Sequence, residues 1–211
     1  MELFVVIPCH NEPNIVSALN SLAACTPPEN IVTVIVVVNS GEHAPYPVIK
    51  QNQQSLADLK QWKHSAPKWI RLKYSNLSDV PQKLAGVGHA RKVGMDQAYH
   101  NMTNPKNGII ICFDADCTCS KNYLMEIERS FKLHPKHDAA TLYFEHEITN
   151  NPAIIDYELF LRYHYQGLRY AGYPFAYQTI GSSMAVRGNT YNAFGGMNTR
   201  KAGEDFYFLH K

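Results

Sequence analysis

The 211-residue chain lacks any apolar run of about 18 residues, which excludes a membrane-crossing helix from the sequence as it stands. It also lacks a block of like charge. With 20 Lys and Arg against 18 Asp and Glu, the net charge of +2 is too weak to argue for nucleic acid as a partner or for a polybasic membrane tail. The opening "MELFVVIP" has no basic n-region and no small-residue cleavage site, and it enters an apolar strand at once. A cytoplasmic location is the expectation. Disulfide spacing is absent too: five cysteines are an odd number, scattered through strands and loops. Cys9 and His10 with the C-x-C at Cys117 and Cys119 are the one conceivable zinc set, but neither C-x2-C nor H-x3-H spacing is present. Reduced thiols in and near a core are therefore expected. Internal repeats and linkers are missing as well, so residues 1–211 are expected to form one domain.

What is present is a soluble globular composition, 45% hydrophobic and 18% charged. Buried-strand signals alternate with helical ones. "LFVVIP" (3–8) and "IVTVIVVV" (31–38) are apolar without alternation, as parallel strands covered on both faces are. Between them Ile15, Val16, Leu19, Leu22 and Ala23 recur at helical spacing until "CTPPEN" stops them. Leu56, Leu59 and Trp62 suggest a second helix, "KWIRLKY" (68–74) a half-exposed strand, 87–100 a third helix and 109–113 a fourth strand. The order β-α-β-α-β-α-β predicts an α/β fold with a mainly parallel sheet and helices on both faces.

In the second half, 139–148 and 178–187 are read as strands, 153–171 as an aromatic-rich helix, and a helix is expected to begin near Glu204. Its abrupt end at Lys211 suggests a C-terminally truncated chain.

Ligands of parallel α/β sheets bind beyond the carboxyl ends of the strands. Pro8 to Glu12, Asn39-Ser40-Gly41 and Asp114-Ala115-Asp116 all fall there. The last follows a fully apolar run, "IICFDADC", and residues 114 and 116 face the same way if extension continues. Two like charges held together repel unless something positive lies between them. A hard divalent cation, Mg²⁺ or Mn²⁺, takes one or two carboxylates plus substrate phosphates and would remove that repulsion. "GVGHARKVG" fails as a dinucleotide fingerprint, because Arg91 stands where the third glycine belongs and the stretch does not close the first strand. It reads better as a glycine-rich entry to a helix whose N-terminus, with Arg91 and Lys92, faces phosphate.

These segments together resemble the inverting family 2 glycosyltransferases of the GT-A fold, over essentially the whole chain and in family order. "FVVIPCHNE" is similar to the opening V-I-P-x-x-N-E, "GHARKVGMDQA" to the G-x-A-x-A-R-N-x-G helix and "FDADC" to the D-x-D metal motif. "GSSMAVR" is similar to the acceptor-side strand and "GGMNTRKAGEDFYF" to the G-G-F…E-D segment. The resemblance implies a nucleotide-binding half (1–116) and an acceptor-binding half (117–211). It implies a hexosyltransferase-type enzyme that transfers a sugar, with inversion, from a UDP- or GDP-sugar to a glycan, lipid or other hydroxyl acceptor. Pro8, Asn11, Glu12, Asn39, Ser40, Gly88, Arg91 and Asp114 would hold the nucleotide, and Asp116 with Asp114 the Mn²⁺ or Mg²⁺. Gly181, Ser182, Ser183 and Gly196 would face the acceptor, with Asp205 as base and Glu204 beside it.

One stretch departs from the pattern. Where the family usually ends its second strand on an acidic pair, this chain reads "VVVNSGE": Val37 and Val38 replace the acids, or Asn39 replaces one. That leaves UDP and GDP sugars both open. Two other readings compete. "DADCT" also fits D-x-D-x-T of haloacid-dehalogenase-like phosphatases, with Asp114 as nucleophile, although three strands precede it here. A non-catalytic nucleotide-sugar-binding module would keep the D-x-D and lack a working base.

Overall fold

A computed structural model describes residues 1–148, 151–200 and 203–211. Strand β1 (Glu2–Cys9) is followed by helix α1 (Ile15–Ala23), β2 (Val32–Gly41), α2 (Tyr46–Ser65), β3 (Ile70–Val80), α3 (Val87–His100) and β4 (Gly108–Cys112). Then come α4 (Tyr123–Leu133), β5 (Ala139–Thr141), α5 (Pro152–Tyr170), β6 (Met184–Arg187), α6 (Gly188–Ala193) and α7 (Glu204–Leu209). The six strands form one sheet in the order β3-β2-β1-β4-β6-β5. The first four are parallel, and β6 runs antiparallel to both β4 and β5. The expected α/β sheet, mainly parallel with helices on both faces, is the architecture found.

Strand side chains alternate between faces, and the core divides accordingly. Leu3, Val5 and Ile7 of β1, with Val34 and Val36 of β2 and Ile109 and Ile111 of β4, pack under α1, α2 and α4. Phe4 and Val6, with Ile35, Val37 and Ile110, pack on the other face against α3, α6 and α7 through Met95, Tyr191 and Phe208. Every residue of β4 is buried, which explains its unbroken "GIIIC".

Several expected boundaries move. The strand expected over 139–148 pairs only through Ala139–Thr141, and the one over 178–187 only through Met184–Arg187. Both stop where the antiparallel partner stops: β6 has four residues to offer, and β5 pairs three of them. β2 and β3 run longer than the sequence suggested, and near their ends three residues of β2 (Asn39 to Gly41) stand against four of β3 (Leu77 to Val80). That bulge places Asp79 at φ 62° and bends the strand tip at the rim. Helix α4 was not anticipated, although Leu124, Ile127 and Phe131 bury one face at helical spacing; nor was the short α6.

The rim at the amino ends of the strands is closed by polar clamps. Arg187 is buried, and its guanidinium donates to the carbonyls of His137 (2.7 Å), Lys106 (3.1 Å) and Phe131 (2.9 Å). The Glu2 carboxylate accepts from the backbone N–H groups of Thr103 (3.0 Å) and Asn104 (3.1 Å).

Candidate active site

At the opposite rim, beyond the carboxyl ends of β1, β2 and β4, lies a cleft of about 490 Å³. Pro8, Glu12, Asn39, Asp114 and Asp116 line it, so three strand tips singled out from sequence do meet in one place. His10, His43, Val48 and Gln82 line it too. Of these, His43, Val48 and Gln82 were not anticipated. They come from the segments that follow β2 and precede α3, where nothing but position after a strand tip could have marked them.

Each tip is fixed by local bonding. Asn39 is buried; its amide donates to the Cys9 carbonyl (3.2 Å), and its carbonyl accepts from His10 Nδ1 (2.9 Å) and Asn52 (2.9 Å). Val37 and Val38 are wholly buried on opposite faces of the sheet, so Asn39 is the first of the three to reach the cleft. Ser40 is buried beside it and does not line the cleft. Asn11 stands outside the cleft lining at φ 52°, its N–H donating to Asn52 Oδ1 (2.8 Å). Glu12 precedes α1 rather than lying in it. Its carboxylate accepts from the Asn14 N–H (2.8 Å) and its carbonyl from Gln51 and Ser55.

Arg91 is not at the surface of the cleft. Only 2% exposed, it sits behind Asp114, donating from Nη2 to Asp114 Oδ1 at 2.9 Å, and its Nε lies 3.6 Å from Glu204 Oε1. Gly181 covers the guanidinium: a Cβ at that position would stand 2.5 Å from Nη1, so a side chain there would displace the arginine. Gly88 meets the backbone of Arg200 and the Glu204 side chain, where a Cβ would overlap the Arg200 carbonyl. Gly88, Arg91 and Gly181 thus join α3 and the strand-entry turn to α7 behind the cleft wall. Nε and Nη1 of Arg91 have no hydrogen-bond partner among the described residues.

The electrostatics follow from this burial. Desolvation pushes the Asp114 carboxyl up; Arg91 pulls it down, the charges of Asp116 and Asp205 push it up, and a hydrogen bond from Ser182 lowers it. Burial likewise raises Glu204, opposed by Arg91. Glu204 is buried, so it faces Arg91 rather than solvent. Its neighbour Asp205 is partly exposed; one oxygen accepts the Phe206 N–H at 2.7 Å. Asp205 is close enough for its charge to act on Asp114. Ser183 is buried and bonded through its backbone to Ile180 and Leu142. Gly196, at φ 70°, packs on the Tyr191 ring. Residues 201 and 202 of the "GGMNTRKAGED" segment lie outside the described residues.

Asp116 is exposed at the cleft and has no cationic partner among the described residues. Nor is there, among them, a cluster of three or more His, Cys, Asp or Glu residues suited to a metal. A closed protein-built metal site, the Cys9-His10-Cys117-Cys119 zinc set included, is therefore not found among the described residues. Two carboxylates beside an open cleft fit a hard cation that takes its other oxygens from phosphate and water. No helix among the described residues is long and apolar enough to cross a membrane.

Comparison with known proteins bears on the fold and the family. The structure of Staphylococcus aureus TarS 1-349, also solved in complex with UDP-GlcNAc, superposes with a TM-score of 0.62 at 17% identity. The match covers 97% of this chain and 53% of that one. A mannosyltransferase from Pyrobaculum calidifontis, in complex with GDP-Man and Mn²⁺, superposes with a TM-score of 0.60 at 16% identity, over 97% of this chain and 49% of that one. The chain thus spans about half the length of these structures, and at such identities they speak for the GT-A fold. No curated protein matches the sequence. The sequence model of Glycosyl transferase family 2, however, matches residues 4–188, from β1 through the start of α6. That span contains the D-x-D and the glycine-rich helix in order, and it leaves no ground for a dehalogenase-type phosphatase. The chain belongs to glycosyltransferase family 2.

Proposed function

We propose that this chain transfers a glycosyl group, with inversion, from a nucleoside-diphosphate sugar to an acceptor hydroxyl, assisted by Mn²⁺ or Mg²⁺. One observation carries the reading. An open cleft at the carboxyl ends of the strands presents Asp114 and Asp116, while a second acid, Asp205, stands near enough for its charge to act on Asp114. Two neighbouring structures, one in complex with UDP-GlcNAc and one with GDP-Man and Mn²⁺, support the same donor class.

The nucleoside lies along Pro8, Glu12 and Asn39, with Glu12 accepting from a ribose hydroxyl or base N–H. Asp116 and Asp114 hold the cation; when bound, it offsets charge growing on the leaving diphosphate as a Lewis acid. Arg91 acts behind them, keeping Asp114 ionised and Glu204 in place, and so positions both the metal-binding loop and the base helix. Asp205 accepts the proton of the acceptor hydroxyl. As that proton leaves, the acceptor oxygen bonds to the anomeric carbon and the bond to the diphosphate oxygen breaks on the far side, which inverts the centre. Ser182 frames the acceptor side, with Glu204 and the Gly181 turn supporting it from behind through Arg91, and the two halves work as one domain across the shared sheet.

The test is a panel of UDP- and GDP-sugars screened by thermal shift with Mn²⁺, followed by an assay for free nucleoside diphosphate. A ligand at a hundred times its dissociation constant stabilises by about 2.7 kcal/mol, a readily measured shift. A protein that binds no member of the panel, yet releases phosphate from a phosphomonoester, would sink the reading.

A further inference from the structure

Cys25 and Cys119, 94 residues apart in sequence, bring their sulfurs to 3.6 Å at the back of the loop that carries Asp114 and Asp116. Neither thiol takes part in the proposed transfer. Cys25, buried just after α1, also approaches the carbonyls of Ser21 and Ser120, both at 3.6 Å. Ser21 Oγ stands 3.6 Å from Cys119 Sγ. The backbones are already joined beside the pair, since Thr26 N–H donates to the Lys121 carbonyl at 2.7 Å. Cys119 is partly exposed and so within reach of a small solute.

From this geometry we propose that Cys25 and Cys119 are an oxidisable dithiol that closes a disulfide under a small disulfide oxidant such as oxidised glutathione. An S–S bond is about 2.05 Å long, so the sulfurs must close by about 1.5 Å across a contact whose backbone is already held. The hydrogen bond from Cys119 lowers the Cys25 thiol to about 7, and the first proton lost belongs to the pair as a whole. Burial does the opposite for Cys9, raised to about 11, and Cys112, raised to about 12, leaving both inert.

The exchange balances. The proton left in the pair passes from Cys119 to Cys25 as the more exposed Cys119 sulfur attacks one sulfur of glutathione disulfide and expels glutathione thiolate. The Cys25 thiolate then attacks the Cys119 sulfur of the mixed disulfide and expels the second glutathione. Two protein thiols become one disulfide, one glutathione disulfide becomes two glutathiones, and both protons leave with them. The bond ties the segment three residues beyond Asp116 to the end of α1. The pairing stands independently of the catalytic reading; only its bearing on Asp116 as a metal ligand depends on it.

The experiment incubates the whole chain with oxidised glutathione, counts thiols after denaturation and maps the disulfides by mass spectrometry. The expected result is a fall from five thiols to three, a Cys25–Cys119 crosslink and full reversal by dithiothreitol. Cys25→Ser should stop at a glutathione adduct on Cys119. Hydrogen exchange of residues 113–122 should slow in the oxidised chain and recover on reduction. Retention of all five thiols, a stable glutathione adduct in the parent chain, or a Cys117–Cys119 bond instead would each overturn the assignment.

Discussion

Strand β4 and helix α5 are the extremes of packing in this chain. β4 buries all of its residues between two layers of helices, whereas α5 buries none over 19 residues. Its Leu159 is 63% exposed and its Phe160 61%. What ties α5 down is polar: Arg162 donates to the Phe144 carbonyl, and Glu158 pairs with Arg162 (2.8 Å) and accepts from His146 (2.6 Å). Segments with few buried apolar contacts open at lower free energy than core strands. The parallel half therefore supplies a fixed floor, and the later half a more adjustable wall. In the proposed reaction the floor serves the nucleotide and metal, and the wall serves the acceptor and its proton.

The hardest test of that division is Asp116→Asn, which should abolish transfer and metal-dependent nucleotide binding together while leaving the melting temperature close to the parent's. A Lewis acid contributes several kcal/mol to the transition state, so the loss should reach at least about 10³-fold. Metal-dependent activity that survives in this variant would end the assignment. Asp205→Asn probes the wall. Activity should fall by about 10² to 10⁴, as for a lost general base, with donor and Mn²⁺ affinity retained by calorimetry. A parallel loss of donor affinity would dissolve the proposed separation between floor and wall.

The smallest effects concern packing itself. Ile111→Ala in β4 should cost about 2–5 kcal/mol in denaturant unfolding, because it removes buried volume from a fully packed layer. Leu159→Ala on the exposed face of α5 should stay within about 0.5 kcal/mol. Equal costs at the two positions would mean that α5 is packed in solution and the contrast is false.

The same contrast decides what could be read from sequence. Buried parallel strands announce themselves, because both faces need apolar residues, and the runs at 3–8, 31–38 and 109–113 each overlap a parallel strand, with shifted ends. Strands β5 and β6 are set by how much partner is available, which no run of residues records, and both are shorter than their apolar stretches. Asp114, Asp116, Glu12 and Asn39 could be placed at the cleft because strand tips follow from topology. The burial of Arg91 and Glu204 could not, since a basic residue early in a helix looks the same whether it faces phosphate or a carboxylate from a segment over 100 residues away. His43 and Gln82 escaped notice for a related reason, since loop residues carry no periodicity, and Val48 sits in the first turn of α2, before its apolar spacing begins.

Arg187 and Glu2 fasten the rim opposite the cleft, gathering backbone groups from two connecting segments and the end of α4 with two side chains. The sheet is therefore anchored from below, and its strands point upward like posts set in one footing. Loops at the upper ends can be lengthened, shortened or exchanged without disturbing what keeps the posts upright. A change of donor or acceptor preference then asks for new residues at positions such as Asn39 and Gln82, and for nothing from the core.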